Sequence, residues 1–478
     1  MNKRAKKTKV IATLGPASST KEIMLELVKA GADVFRINFS HADYELVKRN
    51  VDIIREINQE YGYNISILGD LQGPKLRVGV VKEGSFLNPG DVLTFTNEPC
   101  EGDSTKVFMT YEKFPQDVKV GERILIDDGK LVFEVIETNQ KDTVKAKTIQ
   151  GGPLSSKKGV NLPNTNVSLP ALTEKDIEDA KFMIENEFDW IALSFVRHAQ
   201  DIIDLKKLIQ AHSDFKIPII AKIEKPEGVK NIDEILLECD GLMVARGDLG
   251  VEVPMEEVPV IQKKLVDKAR YYSKPVIIAT QMMETMISSL TPTRAEVNDV
   301  ANNVLDGADA VMLSGETSVG KYPVDVVKNI TKIIKNIEST NLYEKKNDII
   351  EKITCVDDRF VTDMICLNAV KIAETTGAAA IITLTHSGYT AFQISAHRPT
   401  SRIIVYSSNR RVLTMLNLLW GVRAFYYDMN KSTDETVIQV NMLTHHYGYV
   451  EKGDFVVNLN AMPVYEGGKT NTLRLTNI

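Results

Sequence analysis

The sequence predicts an α/β protein: a closed (β/α)8 barrel with an all-β domain inserted into it and an open α/β domain behind it. Three observations predict this architecture. Eight short apolar runs alternate with amphipathic stretches, and each run ends in polar or glycine-rich residues. Between Asp70 and Leu172 that alternation gives way to short strand-like segments with a hairpin signal. Past Lys345 the strand–helix rhythm returns as a separate unit.

The eight runs are Lys9–Leu14, Val34–Phe39, Ile65–Leu68, Trp190–Val196, Pro218–Ile223, Gly241–Val244, Pro275–Ala279 and Ala310–Leu313. Most are apolar without a break, as parallel strands covered on both faces require. Amphipathic segments such as Thr20–Ala30, Thr173–Asn186 and Met255–Tyr272 separate them. Thr173-Glu-Lys-Asp176 reads as a helix start, with a side-chain cap and acids in the first turn. Strand and helix repeated eight times is the pattern of a TIM barrel. Residues 1–71 and 171–345 together have the length of about 250 residues that such a barrel takes. Residues 72–170 are expected to form the inserted β domain. Val92–Thr96, Arg123–Ile126, Leu131–Glu137 and Thr143–Thr148 alternate or are β-branched there, and Asp128-Gly129 supplies a hairpin turn. Residues 346–478 are expected to form the C-terminal domain, with strands at Ala380–Leu384, Arg402–Tyr406, Val422–Tyr427, Phe455–Leu459 and Leu473–Leu475.

Bulk properties exclude several classes of function. A chain of 478 residues exceeds one ordinary core, and its 43% hydrophobic and 26% charged content is that of a globular protein. A net charge of -6 argues against non-specific nucleic-acid binding but leaves room for a local basic pocket. No long apolar stretch follows the basic start, and no run reaches the ~18 apolar residues of a membrane span. The cysteines at 100, 239, 355 and 366 form no CxxC pair, which fits a reduced, cytoplasmic compartment. The sequons at Asn38 and Asn166 carry no meaning there.

Chemistry in a TIM barrel sits at the C-terminal ends of the strands. Those ends read Arg36-Ile-Asn38-Phe-Ser40-His41, Gly69-Asp70-Leu-Gln-Gly-Pro-Lys75-Leu-Arg77, Lys222-Ile-Glu224-Lys-Pro, Ala245-Arg-Gly-Asp248-Leu-Gly, Ala279-Thr280-Gln281 and Ser314-Gly-Glu316-Thr317. Period two places Arg36, Asn38 and Ser40 on one face of strand two, and Lys222 and Glu224 on one face of strand five. Charges on inward faces are tolerable only when paired or metal-bound. An interior ion-pair network would explain one such end, but not six that share the pattern. Glu224 and Asp248 suit a hard cation such as Mg2+, and the absence of Cys or His beside them argues against zinc. A cation with Lys222 and Arg36 is the set that phosphoryl transfer needs.

These strings resemble the signatures of pyruvate kinases. So do Ile11-Ala-Thr-Leu-Gly-Pro-Ala-Ser18, Lys158-Gly-Val-Asn-Leu-Pro163, Met243-Val-Ala-Arg-Gly-Asp-Leu-Gly250, Ala279-Thr-Gln-Met282 and Met312-Leu-Ser-Gly-Glu-Thr317. The order of the pieces matches as well, and the resemblance spans nearly the whole chain. It implies phosphoryl transfer from phosphoenolpyruvate to ADP, giving pyruvate and ATP in the last step of glycolysis. Lys222 would contact the phosphoryl group and stabilise the transition state, and Arg36 would bind that group. Glu224 and Asp248 would hold Mg2+ or Mn2+. Gly247, Asp248 and Thr280 would cradle the substrate carboxylate, with Thr280 where the enolate is protonated. Asn38, Ser40, His41, Arg77 and Lys158 would face the ADP phosphates. Because Lys158 lies in the inserted domain, that domain would close as a lid. A homotetramer is implied too.

One departure from the family is informative. K+-dependent relatives hold that ion with Asn, Ser, Asp and Thr. Here Asn38, Ser40 and Asp70 are present, but Leu71 stands in place of the Thr. Lys75 stands where such relatives have Glu, and its ammonium could replace the cation, so K+ is not expected to be required. The plain alternative is a solvated surface lysine. In the last domain, Thr385-His-Ser387-Gly388-Tyr-Thr390 follows a strand and precedes a helical pattern, a fair cradle for an anion. In the family this loop takes the phosphate of an allosteric sugar phosphate; simple helix capping by Ser387 or Thr385 is the alternative.

Other signals carry less. Gly315 to Tyr322 nearly spells a P-loop but ends in Tyr where a hydroxyl must reach Mg2+. His445-His446 lacks a companion ligand, and Trp190 and Trp420 read as core. Two rival functions stand beside the kinase reading. A lyase-type barrel acting on pyruvate enolate would need neither Arg77 and Lys158 nor a lid. A catalytically silent phosphoenolpyruvate- or pyruvate-binding relative would have no use for intact Lys222, Glu224, Asp248 and Arg36.

Overall fold

The computed structural model describes residues 6–340, 359–428, 432–462 and 468–478. Eight parallel strands close into a barrel: Lys9–Thr13, Val34–Asn38, Ser66–Asp70, Trp190–Leu193, Ile219–Ile223, Gly241–Ala245, Val276–Ala279 and Ala310–Leu313. Every strand pairs with its sequence neighbour among the eight, and the last pairs with the first. Their inner and outer faces are buried almost without exception, which is why the runs read as continuously apolar. Several helices between the strands start at side-chain caps, among them those capped by Thr20, Asp43, Thr173 and Thr293. Thr173 and Asp176 form a reciprocal capping box at the head of Glu174–Glu185, an arrangement of about 1 kcal/mol.

Five strand ends differ from the sequence reading, and two of the differences bear on the barrel mouth. Strand four stops at Leu193 rather than Val196, because Phe195 turns into the left-handed region with φ 55. Strand two stops at Asn38, whose side chain accepts the Ser40 amide at 3.1 Å and opens a 3-10 turn over Phe39–His41. Ser40 therefore lies off the strand, and the period-two argument ends at Asn38.

The floor of the barrel is stapled by four aspartates. Asp33, Asp189, Asp240 and Asp309 each stand one residue before an even-numbered strand. One carboxylate oxygen of each accepts a backbone amide of the preceding odd strand: Val10 at 2.9 Å, Ile67 at 2.7 Å, Ile219 at 3.0 Å and Val276 at 2.9 Å. Each aspartate also meets a cation. Lys6 pairs with Asp33, Arg55 with Asp189 at 3.1 Å, Lys216 with Asp240 at 2.9 Å and Arg398 with Asp309 at 2.7 Å.

Between barrel strands three and four, a six-stranded sheet encloses a separate apolar core that includes Phe95, Phe114 and Phe133. The turn joining Arg123–Ile126 to Leu131–Thr138 has positive φ at Asp127, Asp128 and Gly129, so the Asp-Gly signal marks the tight turn the sequence suggested. After the barrel, a five-stranded sheet carries Ala380–Leu384 at its centre and Thr472–Asn477 antiparallel at one edge. Its core runs continuously into that of the barrel floor through Ala391, Ile394, Met415 and Trp420. Trp190 donates to the Met415 carbonyl at 3.0 Å, and the Trp420 ring lies 4.8 Å from both Lys7 Nζ and the Arg398 guanidinium. Both tryptophans are core residues, as the sequence suggested. Cys100, Cys239 and Cys366 are free thiols, and Cys355 lies outside the described residues. No helix among the described residues is long and apolar enough to cross a membrane.

Lys9, at the start of strand one, is fully buried at this junction and donates to the Val422 carbonyl at 2.9 Å. Burial outweighs the nearby Asp33 and lowers its ammonium to about 7. Below that pH both folded and unfolded chains hold the proton. Above it, up to the unfolded lysine's range near ~10.4, only the unfolded chain does, so this group makes stability rise with pH. Chemical denaturation across that window is expected to show the rise in wild type and a flatter profile in Lys9→Met.

Candidate active site

The mouth of the barrel gathers charged side chains from consecutive strand ends. Arg36, from strand two, directs Nε and Nη2 at Asp70 Oδ2, each at 2.7 Å, and donates from Nη1 to the Thr13 hydroxyl at 3.1 Å. Asp70 ends strand three and is 1% exposed. Its other oxygen lies 3.0 Å from Lys222 Nζ on strand five. Lys222 also lies 3.0 Å from Glu224 Oε1 and donates to the Ser194 hydroxyl at 2.6 Å. Ser194 in turn donates to the Leu71 carbonyl at 2.7 Å. Arg36, Asp70, Lys222 and Glu224 thus form one continuous network.

Its charges bias one another. Burial would raise the Asp70 carboxyl, but Lys222 and Arg36 hold it below the ordinary carboxylate range. Burial would lower the Lys222 ammonium, but Asp70 and Glu224 outweigh it and hold it above its usual value. Glu224 goes the other way. Burial pushes its carboxyl up despite Lys222, and the neighbouring Asp248 carboxylate adds to the push. Glu224 keeps one further stabilising contact, the Phe195 amide, which donates to Oε2 at 2.7 Å. The left-handed turn at Phe195 aims that amide, so the backbone strain there serves the carboxylate.

Asp248 sits in the first turn of the helix Arg246–Glu252, directly after strand six, and is half-buried. Two carboxylates facing one another at a partly dry barrel mouth are the donor set of a hard divalent cation, whose charge would relieve the upward push on Glu224. The residues present fit such an ion. The same helix start presents the Gly247 amide, which donates to the Thr280 hydroxyl at 2.8 Å. Thr280 has φ 69, an unusual conformation for a β-branched residue, and its own hydroxyl donates to the Ala279 carbonyl at 2.6 Å. Arg246 fastens this corner through Asp299 at 2.7 Å and the Thr280 carbonyl at 2.7 Å.

The other candidates lie around this centre. Arg77 donates to the Lys157 carbonyl at 2.9 Å, and Lys158 pairs with Asp127 at 3.0 Å, so both stand together at the root of the inserted domain. Asn38 and Ser40 form the turn at the strand-two rim, and the His41 side chain is outside the described residues. Lys75 is exposed and lines a cleft of about 920 Å3 with Asp128, Arg246, Gly247 and Asp248. Thr385, Ser387 and Thr390 are remote from the mouth and line a cavity of about 230 Å3 with Arg359, Lys469 and Thr470. There the Thr385 hydroxyl accepts the Gly388 amide at 2.9 Å, and Gly388 takes the left-handed φ of 88 that the turn into Tyr389–Ala396 demands. The near P-loop is a short helix, Gly315–Ser318, in which Glu316 closes backbone turns. His445 and His446 end the helix Thr433–His446.

Sequence reasoning missed Ser194 and Arg246. A polar residue interrupting the apolar run at 190–196 is the signal for Ser194; Arg246 stood in a quoted motif but carried no spacing of its own. If Asp70 is the shared anion, Asp70→Asn leaves two poorly paired cations in a buried site. A loss of about 3–5 kcal/mol is expected in denaturant unfolding, the range for breaking a buried pair.

Comparison with known proteins places this geometry in context. A family model described as "Pyruvate kinase, barrel domain" matches residues 5–327, and one described as "Pyruvate kinase, alpha/beta domain" matches residues 363–476. A pyruvate kinase of Mycobacterium intracellulare is 41% identical over 475 residues, 99% of this chain and 99% of that protein. Pyruvate kinase 2 of Synechocystis sp. is 43% identical over 457 residues, 95% of this chain and 76% of that protein. The crystal structure of a pyruvate kinase from Cryptosporidium parvum superimposes with a TM-score of 0.92 at 33% identity, covering 99% of this chain and 97% of that one. From the barrel mouth to the terminal sheet, the chain belongs to the pyruvate kinase family of phosphotransferases.

Proposed function

We propose that the chain transfers the phosphoryl group of phosphoenolpyruvate to ADP, forming pyruvate and ATP. The observation that carries this reading is the Arg36–Asp70–Lys222–Glu224 network beside Asp248 at the barrel mouth. Glu224 and Asp248 would hold Mg2+ or Mn2+, which supplies positive charge to the substrate oxygens when bound. Lys222, kept charged by Asp70 and Glu224, meets the transferring phosphoryl group and neutralises its equatorial oxygens. Arg36, oriented through Asp70, binds the same group. Gly247, Asp248 and Thr280 receive the substrate carboxylate, and Thr280 stands on the side where the enolate gains its proton. Asn38, Ser40, His41, Arg77 and Lys158 face the nucleotide phosphates. Closure of the inserted domain over the mouth excludes water that would otherwise take the phosphoryl group.

The same reading divides the chain into a barrel of residues 1–71 and 171–345, a lid of 72–170 and a C-terminal domain of 346–478. Separate apolar cores for the lid and the barrel support the division. It extends to a cytoplasmic homotetramer and to an anionic effector such as a sugar phosphate on Thr385, Ser387, Gly388 and Thr390. Buried threonine hydroxyls beside Lys469 support the effector site. Lys75 would stand in for K+ near Asn38, Ser40 and Asp70. Lys75 lines the same cleft as Asp248 and makes no ion pair among the described residues, which supports an ammonium available for that role.

ATP formation from phosphoenolpyruvate and ADP with Mg2+ tests the reaction. Wild type is expected to be active, and Lys222→Met to lose about 10²–10³-fold in kcat, the usual effect of removing one charge-stabilising donor. A wild type that forms no ATP, with sugar phosphates added, would overturn the kinase reading. Replacing K+ by tetramethylammonium tests Lys75 separately. Wild type is expected to keep most of its rate, whereas Lys75→Glu is expected to become dependent on K+.

A further inference from the structure

We propose that Glu252 is a positioning residue that couples seating of the inserted domain to the spacing between Glu224 and Asp248. The proposal rests on the reading that these two carboxylates hold the divalent cation. Glu252 closes the helix Arg246–Glu252, one turn after Asp248. Its side chain is fully buried. A single oxygen, Oε1, accepts from two directions. Lys225 Nζ approaches at 2.5 Å, and Asn161 Nδ2 donates at 2.8 Å.

Each contact leads to a different part of the site. Lys225 directly follows Glu224, so the Lys225–Glu252 pair ties the element carrying one metal-binding carboxylate to the helix carrying the other. Asn161 belongs to the inserted domain. Its strand, Val160–Asn161, pairs with Arg123–Ile126 in the lid's own sheet, so Asn161 moves with that sheet. Lys158, which faces the nucleotide in the reading above, lies three residues earlier on the same segment. Nucleotide contact and the latch are therefore carried by one piece of chain.

The second carboxylate oxygen explains why the arrangement would respond to the lid. Glu252 Oε2 is buried and has no hydrogen-bond partner among the described residues. A carboxylate with an unsatisfied oxygen is costly to keep dry, and among the described residues only Lys225 pairs with its charge. Lifting the lid removes the Asn161 amide and opens the carboxylate to water, which weakens its hold on Lys225. Seating the lid dries the carboxylate and draws Lys225 and the helix together. The gap between Glu224 and Asp248 is fixed by that contraction. Outer contacts of this kind orient metal ligands without touching the metal.

Direct titration of Mn2+, followed by the electron paramagnetic resonance of the free ion, tests the proposal on the full chain without turnover. Glu252→Gln preserves volume and removes the charge. It is expected to bind Mn2+ about tenfold more weakly, measured at a temperature where circular dichroism shows the variant folded, since losing a buried pair lowers its melting temperature. Asn161→Ala leaves both metal-ligand elements untouched and is expected to weaken Mn2+ binding in the same direction. Glu224→Gln serves as the control for the metal site. Wild-type Mn2+ affinity in Glu252→Gln, with binding lost in Glu224→Gln, overturns the proposal and leaves the metal site standing. Weakened binding in Glu252→Gln with wild-type affinity in Asn161→Ala overturns the link to the lid. Wild-type binding in Glu224→Gln overturns the metal site itself, and the proposal with it.

Discussion

The chemistry at the barrel mouth depends on one buried carboxylate. Asp70 holds Arg36 with one oxygen and Lys222 with the other, in a place where neither cation could stay unpaired. Desolvation opposes every charge in this group, so each survives only because the others are in position. That mutual dependence makes the site rigid before any substrate arrives. Fixed charges at a partly dry site stabilise a developing charge without reorganising, which is the main resource of an enzyme that moves a phosphoryl group. Glu224 is the exception within the group. Its carboxyl is pushed upward in the absence of a cation, which marks the point where positive charge is still wanted.

The two domains attached to the barrel are held by different physics. The C-terminal sheet shares apolar core with the barrel floor and adds the buried Arg398–Asp309 pair, which binds through both carboxylate oxygens. The inserted domain keeps a core of its own, separate from that of the barrel, and polar contacts reach across to it. Arg197 donates to the Val167 and Leu169 carbonyls of the returning segment, and Asn161 reaches Glu252. Polar contacts can be exchanged for water at little net free energy, whereas a shared core cannot. The first attachment is fixed by a shared core, and the second rests on exchangeable contacts.

Much of this was legible in the sequence. The eight barrel strands could be read because burial on both faces leaves an unbroken apolar run; six of them end within about a residue of the reading, and strand three runs two residues further, to Asp70. Strand four was misread because Phe195, an apolar residue in a strand-like run, is turned by a contact with Glu224, twenty-nine residues away in the chain. Arg36, Asp70, Lys222, Glu224 and Asp248 could be named because a charge at the end of an apolar run has few explanations. Arg246 and Glu252 could not, since their roles arise from partners that only folding brings close, and Ser194 shows only as a polar break in an apolar run. Ser40 shows a further limit: a local cap by the Asn38 side chain takes it out of the strand geometry that period two assumes.

The floor aspartates bear on a question of construction. The inserted domain interrupts the barrel between strands three and four, where a long connection should make their pairing entropically harder to close. Asp189 accepts the Ile67 amide at the opposite end of those two strands, and Arg55 and Thr414 hold it there. The seam opened by the insertion is thus sewn from below. A module inserted at one rim leaves the strands beneath it in register. A barrel with such stitching can accept cargo in its upper loops as a building accepts a new storey, provided that the foundations bind the walls.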